Sequence, residues 1–190
     1  GDTIQLPKYI ILPFQDINAL ICFIYSNLSA NSDPQYLVER AILAPKNEHV
    51  NAINAAIMAQ LAGEAVKYLS FPPHKLMLKL GTPIILLRNI HLPDGLCNRT
   101  RLVCHSFQKH VIEAEIITGK HARICAFLPR VTLSPSNVSL PFTFKRSQFP
   151  VQPAFAMTIN KSQGQMLNWV GLYLPTLFFL MDSCMLPVRG

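Results

Sequence analysis

Hydrophobic residues recur at helical spacing in two places along this chain. Ile17, Leu20, Ile21, Ile24 and Leu28 share one face, with Asp16 available as an N-cap. Val50, Ile53, Asn54, Ile57 and Leu61 share another, in a helix that Asn47 can cap and Gly63 can stop. Between them RAILAP, Arg40 to Pro45, is a short apolar run closed by proline, the pattern of a strand buried on both faces of a parallel sheet. Strand, polar turn and helix make half of a βαβ unit. Ligands of such sheets gather beyond the carboxyl ends of the strands, here Pro45, Lys46 and Asn47. Upstream, Leu6, Ile10, Ile11, Leu12 and Phe14 punctuate an extended, proline-broken segment, and Asn31 to Pro34 is turn chemistry.

From Leu76 the period changes to two. Leu76, Leu78 and Leu80 alternate with Met77 and Lys79, Gly81 breaks the run, and Thr82 to Leu87 is apolar. After a turn-rich link from Leu92 to Asn98, further short strands are predicted at Thr100 to Phe107, Val111 to Ile117 and Ala122 to Leu128. Five strands with hardly a helical stretch among them predict a small β-barrel inserted in an α/β framework. We therefore expect residues 1–70 and 129–190 to form the α/β domain and 71–128 the insertion. The return segment, Pro129 to Pro153, is rich in proline and serine and ends in the basic FKRSQFPVQP.

Charge narrows the classes of partner. The 190 residues carry 17 Lys and Arg against 10 Asp and Glu, net +7 with a pI near 9.3, which suits nucleic acid or an anionic membrane surface but also describes an ordinary basic protein. Five scattered cysteines without a CxxC pair or a histidine at zinc-ligand spacing indicate neither a disulfide framework nor a zinc site. The apolar runs Ile17 to Tyr25 and Trp169 to Met181 are too short or too broken by Pro175 to span a bilayer, and no secretory signal is recognised. No membrane partner is expected.

The densest chemistry lies in Ala154 to Leu167, AFAMTINKSQGQML. An apolar run ends there in a polar knot of Thr158, Asn160, Lys161, Ser162, Gln163, Gly164 and Gln165. Such a knot is costly to bury without partners, and a lysine among hydroxyls, amides and a glycine is suited to gripping phosphate. A strand end capped by serine and turned by glycine would have the same residues, and Lys145, Arg146 and Lys161 taken alone also fit a solvated surface.

Together these stretches resemble the C-terminal part of the petite-integration-frequency (Pif-type) DNA helicases, superfamily-one relatives of RecD, and especially the copies carried by Helitron transposons. The resemblance rests on RAILAPKNEHVNAIN (Arg40 to Asn54), PPHKLMLKLGTPIILLRNI (Pro72 to Ile90), GLCNRTRL (Gly95 to Leu102), PFTFKRSQFPVQPAFAMTINKSQGQ (Pro141 to Gln165) and VGLYLP (Val170 to Pro175), in the family's order. It implies a second RecA-like motor domain interrupted by a small SH3-like β-barrel. It also implies a 5′ to 3′ motor on single-stranded DNA, working in DNA repair, recombination and telomere maintenance, in a nuclear or mitochondrial, intracellular setting. Carried over residue by residue, Thr158, Lys161 and Ser162 face DNA phosphates, with Pro45, Asn47, Lys145 and Arg146 also on the DNA side. Gln163 and Gly164 lie toward the nucleotide cleft. ATP and magnesium serve the complete family enzyme, and neither is expected to bind tightly to this chain.

Four departures from the pattern shape these expectations. No G-x-x-x-x-G-K-[ST] loop and no apolar run ending in Asp-Glu occurs in the 190 residues, so the first motor half is expected as a missing partner, in the same gene or a separate chain, and hydrolysis by this chain alone is not expected. Tyr68 to Ser70 is followed at once by FPPHKL, where relatives carry a longer segment. Arg99 stands where relatives commonly have glycine; in a hairpin turn with positive φ at Asn98 and Arg99 it would cost roughly 1 kcal/mol. After Pro175 the tail TLFFLMDSCMLPVRG lacks the family's closing Val-Ala-Leu-Ser-Arg-like motif. Codons for Phe179 to Val188 can be chosen that read Ser-His-Gly-Gln-Leu-Tyr-Val-Ala-Cys in a shifted frame, so the tail is expected to be a frameshifted reading and Arg189 is not assigned an arginine-finger role. A stand-alone single-stranded nucleic-acid-binding module, or a transposon-derived relic, is the alternative to a helicase part.

Overall fold

A computed structural model describes residues 16–26, 28, 33–70, 74–117, 119–133, 146–174 and 177–182. Contacts divide the chain into two compact units: Gly63–Pro153, and the residues before and after it.

The outer unit begins with helix α1, Ile17–Ile24, where the Asp16 side chain accepts a hydrogen bond from Asn18 N–H at 3.0 Å and Leu20, Ile21 and Ile24 are buried, as the spacing predicts. The turn residues before Arg40 build more than a turn. Asp33 caps a five-residue helix α2, Pro34–Val38, by accepting from Gln35 N–H at 3.0 Å, with Pro34 in the first turn, where a missing N–H costs nothing. Strand β1, Arg40–Ala44, is buried at four of its five residues. Helix α3 runs Asn47–Gln60, so Asn47 is its first helical residue and the extended Lys46 takes the N-cap position without a side-chain bond. The helix ends at Gln60, three residues before Gly63, whose φ is +96°.

In the central unit, β2 (Val66–Ser70) pairs antiparallel with β3 (His74–Leu78), alone as a ribbon. The alternation expected to run to Leu80 ends at Leu78, because Lys79 N–H donates to Thr82 Oγ1 and Thr82 N–H to Lys79 O, closing a turn through Gly81 (φ +74°) that leaves Leu80 exposed. Strands β4 (Pro83–Leu86), β5 (Arg101–Phe107), β6 (Val111–Ile116) and β7 (Cys125–Pro129) follow, then β8 (Val131–Leu133), β9 (Arg146–Gln148) and β10 (Val151–Pro153). The antiparallel five-stranded sheet has the order β10-β4-β5-β6-β7, so the fifth member is β10 and β3 stands apart. Proline cannot donate to a ladder, and β10 carries Pro153 on the sheet's edge, the position where that is tolerated. Alternation in β6 and β7 turns Ile112, Ala114, Ile116, Ala126 and Leu128 into a core with Leu78, Ile84, Leu102 and Phe149. The boundaries expected after residues 70 and 128 therefore differ from the observed division, since β2, β8, β9 and β10 all lie within Gly63–Pro153.

Arg99 does have a positive φ, 73°, but Asn98 does not. The turn Cys97–Thr100 is closed by Thr100 N–H donating to Cys97 O at 3.0 Å, with the left-handed residue third, as in a type II turn.

The chain returns to the outer unit with β11 (Ala156–Thr158), the short helix α4 (Ile159–Ser162), β12 (Trp169–Leu174) and β13 (Leu177–Asp182). Their sheet has the order β11-β1-β12-β13, with β1 parallel to both neighbours and β13 antiparallel at the edge. The tail residues 183–190, with Arg189, lie outside the described residues, as do the extended segment before Asp16 and Lys145. The Tyr25 hydroxyl sits between the carbonyls of Arg40 and Phe155, at 3.0 and 2.9 Å, and the Arg40 guanidinium stacks between the rings of Tyr36 (3.7 Å) and Trp169 (5.7 Å). Among the described residues no helix is long and apolar enough to cross a membrane.

Cys104, in β5, is 1% exposed, and burial pushes its thiol well above the ordinary value of 9.0. A raised folded pKa means that the native state keeps a proton which the unfolded chain loses above about pH 9, so stability falls as pH rises beyond that point, by up to about 1.4 kcal/mol per pH unit. Unfolding titrations of Cys104→Ala against the parent should show the shallower decline in the variant; identical slopes would remove Cys104 as the cause. At pH 8 iodoacetamide should label the exposed Cys22 and Cys125 in the native protein and spare Cys104.

Candidate nucleic-acid interface

Two βα turns share one edge of the parallel strands. In the β1–β11 register Ile42 lies opposite Ala156 and Ala44 opposite Thr158, so both strands end level and their following turns start side by side. From Ala44 the chain leaves through exposed Pro45, Lys46 and Asn47 into α3; from Thr158 it enters α4 directly. On the other side of β1, Leu43 pairs with Leu172, which brings Tyr173 to the same edge. There the His49 ring stands edge-on to the Tyr173 ring, with centroids 5.3 Å apart at 86°.

Asn54 holds this edge in register. From the buried face of α3 its Nδ2 donates to Ala156 O at 3.1 Å, and its Oδ1 accepts from Ala156 N–H at 2.9 Å. β11 is an edge strand, and the backbone groups of Ala156 that face away from β1 would otherwise be buried without partners. Periodicity alone places Asn54 on an apolar helical face; a polar residue within that stripe is the sequence signal for this role.

The knot itself is turned in two directions. Thr158 is half-buried and caps α4 by backbone position alone, leaving its hydroxyl unused by the cap. Lys161 is half-buried, while Asn160, Gln163 and Gly164 are exposed. Ser162, expected to face phosphate, is 3% exposed and its Oγ donates to Ile159 O at 2.7 Å, so here it closes the turn. Gly164 has φ +79° and open space around its Cβ position, and Gln165 N–H donates to Ser162 O at 2.9 Å. Thus Pro45, Asn47, Thr158, Lys161, Ser162, Gln163 and Gly164 occupy two neighbouring turns. Arg146 begins β9 in the other unit.

The electrostatics of the edge are mixed. Lys46 Nζ lies 3.6 Å from Glu48 Oε1 and His49 Nε2 lies 3.8 Å from the same oxygen, all near the start of α3, where an acidic side chain complements the helix dipole. His49 Nδ1 is buried and makes no hydrogen bond among the described residues. No group of three or more His, Cys, Asp or Glu side chains able to hold a metal ion occurs among the described residues, so no ligand set for magnesium is assigned here.

Parallel strand ends carrying polar turns, in a chain interrupted by an antiparallel β unit, define a mixed α/β protein whose candidate site lies beyond the strand ends. Residues 63–107 match the family described as DNA helicase Pif1, 2B domain, and thus begin where the central unit begins. The chain is 33% identical over 106 residues to the human ATP-dependent DNA helicase PIF1, covering 54% of this chain and 16% of that protein. It resembles the structure of Pif1 helicase from Candida albicans (TM-score 0.58, 19% identity, 82% of this chain and 45% of that one). It also resembles Bacteroides Pif1 bound to single-stranded DNA (TM-score 0.55, 19% identity, 84% and 43%). Residues 63–107 thus carry the Pif1 2B-domain pattern and the fold resembles that of Pif1 helicases, while the chain spans less than half of each of these relatives.

Proposed function

We propose that this chain supplies the C-terminal motor half of a Pif1-type ATP-dependent 5′ to 3′ DNA helicase. In this reading the unit built on β1 is the second RecA-like domain, and Gly63–Pro153 is its SH3-like insertion. The two turns beside Ala44 and Thr158 hold the backbone of single-stranded DNA. The observation that carries the reading is the register of β1 against β11, which sets both turns on one edge. Lys161 contributes a cation, Thr158 a hydroxyl, and Pro45 and Asn47 line the adjoining turn. Contacts of this kind ignore base identity, as a translocating motor requires. Gln163 and Gly164, on the exposed side of the knot, are the residues that would face nucleotide in the complete enzyme, where bound ATP supplies the free energy for translocation. The relative crystallised with single-stranded DNA supports the choice of ligand.

Fluorescence anisotropy of a labelled oligo-dT with the full chain tests the assignment. Lys161→Ala should weaken binding about three- to tenfold at low salt and reduce the slope of log K against log salt by about 0.7, the loss of one phosphate contact. Unchanged affinity and slope in Lys161→Ala would sink it.

A further inference from the structure

At one end of the five-stranded sheet two turns meet. Residues 87–100 join β4 to β5, and residues 119–124 lead into β7. Ile117 N–H donates to Arg101 O at 3.1 Å, Arg99 N–H donates to Leu86 O at 2.9 Å, and a Cβ at Gly95 would fall 2.7 Å from the His121 ring, so the two turns touch. Only two non-glycine residues among those described have a positive φ. Both are arginines on these turns, Arg99 at 73° and Arg123 at 70°. L-residues other than Gly, Asn and Asp seldom occupy that region, and strained backbone concentrates where the side chain serves a purpose.

Both arginines are exposed, and so are Arg88 and Lys120 on the same turns. Against these four cations stands a single carboxylate, Asp94, whose Oδ2 lies 3.0 Å from His91 Nδ1. Leu92, at 62%, and Ile124, at 50%, are the large apolar side chains exposed on these two turns. A protein partner would be marked by an apolar, aromatic core to the patch; four cations against one carboxylate, with two aliphatic side chains and no Phe, Tyr or Trp on these turns, match a phosphodiester backbone instead.

We propose that this arginine-bearing end of the Gly63–Pro153 unit is a second nucleic-acid surface, in which Arg99 and Arg123, flanked by Arg88 and Lys120, hold the phosphates of a single strand. Guanidinium groups present paired N–H donors that match phosphate oxygens, and fixing the backbone of each turn limits where those donors can reach. The surface uses none of the residues beside Thr158 and stands or falls apart from them.

The test exploits the strain. Glycine is at ease at both positions, so Arg99→Gly with Arg123→Gly removes two cations while leaving the turns relaxed, and the melting temperature should hold or rise. Binding of the full-length double variant to labelled oligo-dT at low salt should weaken about fivefold or more, with the salt slope shallower by about 1.4 for two lost phosphate contacts. The doubly lysine-substituted chain, Arg99→Lys with Arg123→Lys, should keep the parent's slope. Parent-like affinity and slope in the glycine variant would overturn the proposal, as would displacement of oligo-dT by polyglutamate as effectively as by unlabelled oligo-dT, which would mark an acidic protein surface. Lys161→Ala, measured alongside, separates the two sites: a loss there with none in the glycine variant overturns this surface and leaves the Thr158 edge, and the converse does the reverse.

Discussion

Asn54→Ala should cost the outer unit about 3 kcal/mol. The variant strands two backbone groups of Ala156, an N–H and a C=O, in a place with no access to water. Each buried group left without a partner costs about 1–3 kcal/mol. Alanine's better helix propensity returns only about half a kcal/mol. Trp169, the single tryptophan, begins β12, so urea unfolding followed by its fluorescence reports on this unit. Asn54→Asp should be at least as damaging at neutral pH, because a carboxylate can accept from Ala156 N–H but cannot donate to Ala156 O, and adds a buried charge. A change below about 1 kcal/mol in Asn54→Ala would mean that β11 finds other partners. Because β11 runs straight into Thr158, loosening it should also weaken oligo-dT binding in protein that is still folded.

The elements that could be read from the sequence are those whose signal is local. Asp16 and the spacing of Leu20, Ile21 and Ile24 specify α1 within nine residues, and RAILAP specifies a buried strand by its apolar run and terminal proline. α2 reads as a turn in sequence because five residues give no period to see, although Asp33-Pro34 is a helix start. β10 hides in a proline-rich stretch because its status depends on finding β4, more than sixty residues earlier, and on taking the edge where Pro153 does no harm. The sequence groups β3 with the strands after it, since alternation says nothing about which neighbour a strand will choose. It pairs with β2 instead.

The candidate site was legible as a list and not as a place. The strand–turn–helix pattern marks Pro45 and Asn47 and the polar knot marks Thr158 to Gly164, the resemblance to helicase motifs suggests their ligands, and the β1–β11 register is what puts the two groups side by side. Two features escaped for physical reasons. Asn54 acts on a backbone 102 residues away, beyond any sequence window. Ser162 carries a hydroxyl that would suit phosphate, but the tight turn after Ile159 offers its carbonyl at 2.7 Å and claims that hydroxyl first.

Gly171→Ala should destabilise the outer unit by about 2 kcal/mol, through the packing of α1 on the sheet. Gly171 lies in the middle of β12 with ordinary extended backbone, so alanine's conformation is no obstacle; the space is. An added methyl would fall 2.8 Å from Ile24 Cγ1, closer than carbon atoms approach, and 3.0 Å from Leu20 Cδ1, a contact tight enough that the leucine must give. Leu20 could swing a terminal methyl aside, but Ile24 Cγ1 sits one bond from Cβ and moves only if α1 moves, and overpacking of this kind typically costs about 1–3 kcal/mol. The cause can be isolated with Ile24→Ala, which removes the obstructing carbon. Alone, Ile24→Ala opens a cavity and should cost about 2–4 kcal/mol. Combined with Gly171→Ala it should cost less than the sum of the two by at least about 1 kcal/mol, since the new methyl then occupies part of the emptied space. Strict additivity in the Trp169 unfolding curves would mean that α1 is not pressed against Gly171, and would remove this contact as the reason glycine occupies the strand.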